Sequence, residues 1–483
     1  MEPRFDIHLH LFNKTFLAKE LYFRLIQVIH HLFDPGEKIV EKGLTDTIGK
    51  KIAKLNSILK AIKRINNFLH IGFRENSTEV CNELNKQYHN EFILTPLMFD
   101  LTYCFVSSAI GTKGLARPVD YFKILEKEKK QFLQKVEQIA PALKEGARSL
   151  PVSNQKEQRI IEKLEKELKE FTRLTEELKK SNQKDAIRKR QLMKDLDGIP
   201  GEADGFREQI LQLQALKSNP KFKDRIYPFL AVDPRRPGIL KYMKENVGKG
   251  KAFIGVKLYT PNGYSPTDPL LWGSQKNDDC VYKFCEKNRI PVTVHNSYGG
   301  FATFVDSLEI TGDIYTTGGL KYINKAVYNF KTKLIRDSGN AIKERALVLN
   351  HPSLWEKVLG KYPDLYLDLA HFGGGERLGM ALGNTDDKES GNWSGKIMEL
   401  IQKYRNAYTD ISCFSEFSVL EKLKGSVIYP KIRQKIMYGS DFYLLMLFEN
   451  DFGKNIKNFR SVFAQDFDLI SRDNPKRYLS NVL

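Results

Sequence analysis

Eight short apolar runs, each followed by a helical or loop stretch, constrain this chain more than any other feature. They are Phe5 to Leu11, Phe92 to Phe99, Ile226 to Val232, Phe253 to Tyr259, Ile290 to His295, Leu365 to His371, Ala407 to Ser412 and Ile436 to Asp441. Short runs dominated by Val, Ile, Leu and Phe read as strands buried on both faces, as parallel strands are. Their alternation with helical segments calls for a parallel α/β sheet, and eight strand-plus-crossover units are what a closed (β/α)8 TIM barrel needs. The expected fold class is therefore α/β, a (β/α)8 barrel.

Two connections are far longer than ordinary barrel loops. The first, from about Asn13 to Glu91, holds helical pieces at Leu17 to Phe33 and Asp46 to Phe68. The second, from about Ser108 to Asp224, is a charged helical segment in which Ile161, Leu164, Leu168, Phe171 and Leu178 follow a coiled-coil-like spacing, with Thr175 where the seam would continue. Such a stripe packs on a second helix or on a partner. Pro151, Pro200 and Gly201 mark breaks between helices. The expected division is 1–107 for the start of the barrel with a first helical insertion, 108–224 for the charged insertion, and 225–483 for the rest of the barrel. Both insertions follow a strand, so they leave the barrel at its C-terminal face, where active sites sit. They could cover the site, form a contact between copies in a homo-oligomer, or be a surface appendage.

The net charge of +18 raises a nucleic-acid reading, and its placement argues against one. Lysines are spread along the chain. In the richest stretch, Lys156 to Lys194, they interleave with Glu157, Glu162, Glu165, Glu167, Glu170, Glu176 and Glu177, the pattern of a solvated helix. What remains is a positive field favouring small anions. The five cysteines, Cys81, Cys104, Cys280, Cys285 and Cys413, form no Cys-x-x-Cys pair and suit buried thiols in a reducing compartment. The start, Met1-Glu2-Pro3-Arg4, has no apolar stretch behind a basic segment, and no later run is long enough to cross a bilayer. A cytoplasmic protein with neither a membrane nor a nucleic-acid partner is expected.

Chemistry concentrates at the ends of the runs. In Phe5-Asp6-Ile7-His8-Leu9-His10 the two histidines stand two apart, so in a strand both imidazoles face one side and can reach one metal. His295, His371 and Asp441 each close a further apolar run. In a barrel all these ends ring one mouth, which gathers residues distant in sequence into one site.

These residues resemble the amidohydrolase superfamily, with His-x-His on the first strand, His on the fifth and sixth, and Asp on the eighth. The phrases Pro228-Phe229-Leu230-Ala231-Val232-Asp233-Pro234-Arg235-Arg236-Pro237, Gly255-Val256-Lys257-Leu258-Tyr259, Ala370-His371-Phe372-Gly373-Gly374, Gly439-Ser440-Asp441 and Asn474-Pro475-Lys476-Arg477-Tyr478-Leu479 are similar to its amidohydrolase-related branch, which includes the aminocarboxymuconate-semialdehyde decarboxylase-like enzymes. The likeness does not extend over the two insertions. It implies metal ligands at His8, His10, His295 and Asp441, with Asp441 also taking a proton from water and His371 as a catalytic group. It implies one divalent metal, with zinc suiting the imidazole and carboxylate donors. Lys257, which in some branches is carbamylated and bridges two metals, is expected to face substrate as a cation or to be structural. Arg235, Arg236, Tyr259, Tyr264 and Asn296, just past other strand ends, are weaker candidates for substrate contact. His351, in Asn350-His351-Pro352, competes with His371 for the sixth-strand position, but choosing it would leave Asp441 on a ninth strand; a supporting role beside the ligands is expected instead.

The expected activity is hydrolysis of a C–N or C–O bond in a small carboxylate-bearing molecule. Non-oxidative decarboxylation is the rival within the branch, where decarboxylases often carry Glu at the position of His8. A scaffold protein that uses the helical insertion is the rival outside it.

Overall fold

The structure, a computed structural model, describes residues 2–13, 48–100, 102–105, 155–179, 205–222, 224–274, 278–333, 338–383, 387–449 and 451–483. Ten strands occur among them: β1 (Arg4–Leu9), β2 (Phe92–Pro96), β3 (Phe229–Ala231), β4 (Gly255–Leu258), β5 (Val292–Ser297), β6 (Ser307–Thr316), β7 (Gly319–Asn329), β8 (Leu367–Gly373), β9 (Ala407–Asp410) and β10 (Ile436–Met437). Each of the eight apolar runs overlaps one of them. β3, β4, β5, β8, β9 and β10 form a parallel sheet in the order β10-β9-β8-β5-β4-β3, and β1 pairs in parallel with β2.

Backbone hydrogen bonds also link the two sets of strands. Tyr227 N donates to Leu94 O at 2.9 Å and Met98 N to Phe229 O at 3.2 Å, tying β2 to β3. Ile7 N donates to Tyr438 O at 3.2 Å and Asp441 N to His8 O at 2.7 Å, tying β1 to the chain leaving β10. This last approach is close because residue 439 is glycine: a Cβ there would lie 2.6 Å from the Cβ of His8.

β6 and β7 form an antiparallel hairpin between β5 and the sixth parallel strand, β8. The eight-run reading did not include it. Its outer strand is largely exposed, so it lacks the apolar density by which buried strands were recognised; the usable signal was the turn, Thr316-Thr317-Gly318-Gly319.

Between β1 and β2 stand α1 (Ile48–Gly72) and α2 (Ser77–Tyr88); between β2 and β3 stand α3 (Gln155–Lys179) and α4 (Gly205–Ser218). The expected helix at Leu17 to Phe33 lies outside the described residues. α3 packs along α1, with Asn66 Nδ2 donating to Glu167 O at 3.0 Å and to its carboxylate at 2.8 Å, and His70 Nε2 2.9 Å from Glu170. Ile161, Leu164, Leu168 and Phe171 are buried as the stripe requires. Leu174 is buried as well, as a straight helix of 3.6 residues per turn drifts from a heptad seam; the side chains of Thr175 and Leu178 lie outside the described residues. These side chains belong to the same hydrophobic core as Leu9, Phe99, Val256 and Leu369.

Candidate metal centre

Because the strands are parallel, β1, β4, β5, β8, β9 and β10 deliver His8, His10, Lys257, His295, His371, Asp410 and Asp441 to the same edge. Ligand atoms of His8, His10 and Asp441 lie within 4.8 Å of one another. His10 Nε2 is 3.4 Å and His8 Nε2 3.9 Å from Asp441 Oδ1. His8 Nε2 and Asp441 Oδ1 are sealed from solvent and have no hydrogen-bond partner among the described residues. A buried polar atom left unpaired is costly, and two aimed at one point fit a cation between them.

The other ring nitrogens fix the rings. His8 Nδ1–H donates to Asp410 Oδ2 at 2.7 Å, and His10 Nδ1–H to Leu97 O at 2.9 Å, which leaves both Nε2 lone pairs facing Asp441. Burial, and then the charge of Lys257, push the His8 imidazolium down to about 3 and hold that of His10 well below its usual value, so both rings are neutral, the form that ligates metals. Burial pushes the Asp441 carboxyl up to about 8, against the Cys413 thiol and Lys257, which lower it. A cation arriving beside it would reverse that penalty.

Asp410 supports two of these histidines at once. Its Oδ1 accepts from His371 N at 2.9 Å, Ser412 N at 3.0 Å and the Ser412 hydroxyl at 2.5 Å, while Oδ2 takes His8. Burial opposes its charge, but His8, His371 and Ser412 hold it far below the ordinary carboxylate range. With its proton on Asp410, Ser412 Oγ accepts Nδ1–H of His371 at 2.8 Å, so one carboxylate sets the tautomers of both rings. Neither Asp410 nor Ser412 was among the residues expected from the sequence. The available signal was the one used for His8 and His10: polar side chains two apart at the end of an apolar run.

The remaining expected residues divide. His371 packs against His8 and His295, with ring centroids 4.5 and 4.7 Å away. His295 stays outside the group of converging ligand atoms: its Nε2–H donates to Gly299 O at 2.9 Å and its ring stacks on Tyr259. Lys257 is buried and does not line the cavity; among the described residues its Nζ has no partner, and burial pushes it down to about 8 against the opposing pull of Asp410, Asp368 and Asp441. Arg235 turns to Asp233 at 2.6 Å and Asn296 to Asn350 and Trp393, so neither lines the cavity. His351 caps the helix Pro352–Lys361 through Ser353 N, away from the cluster, which leaves His371 as the histidine of the sixth parallel strand.

The cluster opens into a cavity of about 500 Å³. Its polar lining includes His10, His295, His371, Ser412, Cys413 and Asp441, and its walls are mainly apolar, with Phe99, Tyr259, Phe301, Phe304, Phe414 and Leu444 among them. Phe99 is held by the side chain of Gln209 on α4, which accepts from its N–H at 3.0 Å and donates to its carbonyl at 2.8 Å. His371, Cys413 and Asp441, each at or just past a strand end, take left-handed backbone (φ 67°, 62° and 52°), conformations that cluster at functional sites.

Parallel strands whose C-terminal ends gather histidine and aspartate ligand atoms beside a cavity define an α/β framework with groups that could hold a metal ion. Residues 202–479 match the amidohydrolase family, over more than half of the chain, and the chain belongs to that family. The matched span includes His295, His371, Asp410 and Asp441; His8 and His10 precede it. Membership supports a metal-dependent, hydrolase-type activity. No curated protein matches the chain. A crystal structure of an amidohydrolase from Burkholderia multivorans with bound HEPES is similar over 57% of this chain and 79% of its own, at 12% identity and a TM-score of 0.34. Among the described residues no helix is long and apolar enough to cross a membrane.

Proposed function

We propose that the protein is a metal-dependent hydrolase that uses water to cleave a C–N or C–O bond of a small carboxylate-bearing molecule. The observation that carries this reading is the convergence of two neutral imidazole nitrogens and one carboxylate oxygen, two of these atoms buried and unpartnered, at the end of a cavity of about 500 Å³. The framework fits a closed barrel, since hydrogen bonds link β2 to β3 and β1 to the chain after β10.

His8, His10 and Asp441 would hold the ion; His295, the fourth expected ligand, is engaged by Gly299 and serves as cavity wall. Zinc suits these donors, and a divalent cation there would supply Lewis acidity, making water a usable nucleophile near neutral pH. The chain's own residues do the rest. Asp441 accepts the proton given up by the attacking water. His371, whose Nδ1–H donates to Ser412, keeps Nε2 as an acceptor that takes a hydrogen bond from the attacking water and orients it. The apolar walls exclude bulk water and strengthen both interactions. His8 in place of glutamate supports hydrolysis over decarboxylation.

Elemental analysis of the purified protein should find about one equivalent of a divalent transition metal, and His10→Ala should lower it sharply. A substrate screen on the same sample would then identify the bond cleaved. Absence of metal at any loading would sink the reading, and carbon dioxide as the product would move it to the decarboxylases.

A further inference from the structure

Arg64 is the only lysine or arginine among the described residues that line the cavity. It sits on α1, on the side that carries Ala61, Ile65 and Phe68, all buried. Phe68 packs on Tyr443, just past Asp441, and α1 runs against Leu444–Leu447, two of whose residues also line the cavity. The helix therefore presents a guanidinium where its spacing would place another apolar side chain. Among the described residues Arg64 has no ion-pair partner, and its Nε is sealed from solvent with no hydrogen-bond acceptor. Among the described residues, three other guanidinium groups with little exposure are paired: Arg235 with Asp233, Arg236 with Asp100 and Arg377 with Asp387.

An unpaired, partly buried guanidinium is costly in the free protein and persists where a ligand completes it. We propose that Arg64 is the substrate-recognition residue, binding the carboxylate of a monoanionic acid whose apolar body lies against the phenylalanine walls while its reacting bond sits at His10 and Asp441. The proposal rests on the reading of the metal centre as the reacting end. A carboxylate suits the planar fork of a guanidinium, which can donate two parallel hydrogen bonds. A dianion would be only half neutralised by one arginine, with Glu376 and Glu416 also on the cavity wall. Substrate selection would then come from α1, between β1 and β2, and not from Arg235 or Lys257.

The test is calorimetric titration of 4-phenylbutanoate and 4-phenylbutanamide into wild type, Arg64→Gln and Arg64→Lys, each metal-loaded and metal-stripped. Wild type should prefer the carboxylate by about tenfold or more in both forms, as a charge-assisted hydrogen-bonded pair provides. Arg64→Gln should lose the preference, keep its metal content and melt no lower than wild type, because no native partner is left unpaired. Arg64→Lys should keep part of the preference, which also covers the case in which Arg64→Gln fails to fold. Survival of the preference in Arg64→Gln, a wild type that binds neither probe or both alike, or a large loss of stability in both variants would overturn the proposal. Metal content separates the two readings: a protein without metal defeats the hydrolase proposal, whereas the preference of the stripped protein depends on Arg64 alone.

Discussion

Asp410 joins the two functions of the site, since it fixes His8, a proposed ligand, directly and His371, a proposed catalytic group, through Ser412. Asp410→Asn leaves one oxygen for donors that now share two, so metal affinity should fall by about 10- to 100-fold, the usual effect of losing a group that orients a ligand. His371→Asn should instead keep near-normal metal content and slow turnover by about 100-fold or more. Asp441→Asn should damage both, because an amide is a poorer ligand and accepts no proton. Parallel metal analysis and kinetics decide; a His371→Asn protein that loses its metal while Asp441→Asn keeps metal and activity would reverse the roles. At this scale the sequence was informative where a residue ends a strand, because parallel strands bring their ends together whatever their separation along the chain. His8, His10, His371 and Asp441 are of this kind, and Asp410 was open to the same reasoning. Arg64 was not, because whether a helical arginine meets solvent or a cavity depends on which neighbours cover its helix. The turn of His295 toward Gly299 is likewise set by a loop carbonyl that no spacing rule places.

The parallel strands were legible because each is buried on both faces and so reads as an unbroken apolar run. The β6–β7 hairpin obeys a different rule, with one strand half-buried and the other largely exposed. Short polar elements can be probed through their caps. Asp268 caps the helix Pro269–Trp272, its carboxylate accepting from Leu270 N at 2.9 Å. Burial raises its carboxyl to about 6, although the Leu270 N–H favours the charged form. The folded state thus holds the proton more tightly than the unfolded chain. That contribution is complete below about pH 4 and is lost as pH rises through the folded value. Asn keeps the acceptor and removes the charge. Asp268→Asn should therefore match wild type near pH 4 and exceed it above pH 6, by on the order of 1 kcal/mol after allowance for partial exposure. Denaturant melts across this range test the point; a variant less stable than wild type at pH 7 would show that the charged cap outweighs its burial.

At the scale of the whole molecule, the described helices between β1 and β2 and between β2 and β3 are continuous with the core. Leu164, Leu168, Phe171 and Leu174 of α3 cover α1, and these side chains share one apolar cluster with Ile65, Phe68, Leu9 and Phe99. α1 in turn carries Arg64 to the cavity, so under the proposed recognition α3 would act through α1 without touching the ligand. The proposed metal ligands depend on strands held by their own ladders, and that difference separates two properties that would otherwise fail together. Phe171 is 1% exposed, and truncating it should cost about 3–5 kcal/mol, as for other buried phenylalanines. Phe171→Ala should accordingly unfold at lower denaturant, bind near-normal metal while folded, and discriminate less between 4-phenylbutanoate and 4-phenylbutanamide as α1 loosens. Replacing Lys156 to Lys194 by a short linker should exaggerate the same pattern. If Phe171→Ala melts like wild type and keeps full discrimination, α3 is an appendage and contributes nothing to the cavity. If it loses metal in step with discrimination, the strands and helices respond as one unit, and the ligands depend on the helical layer as much as Arg64 does.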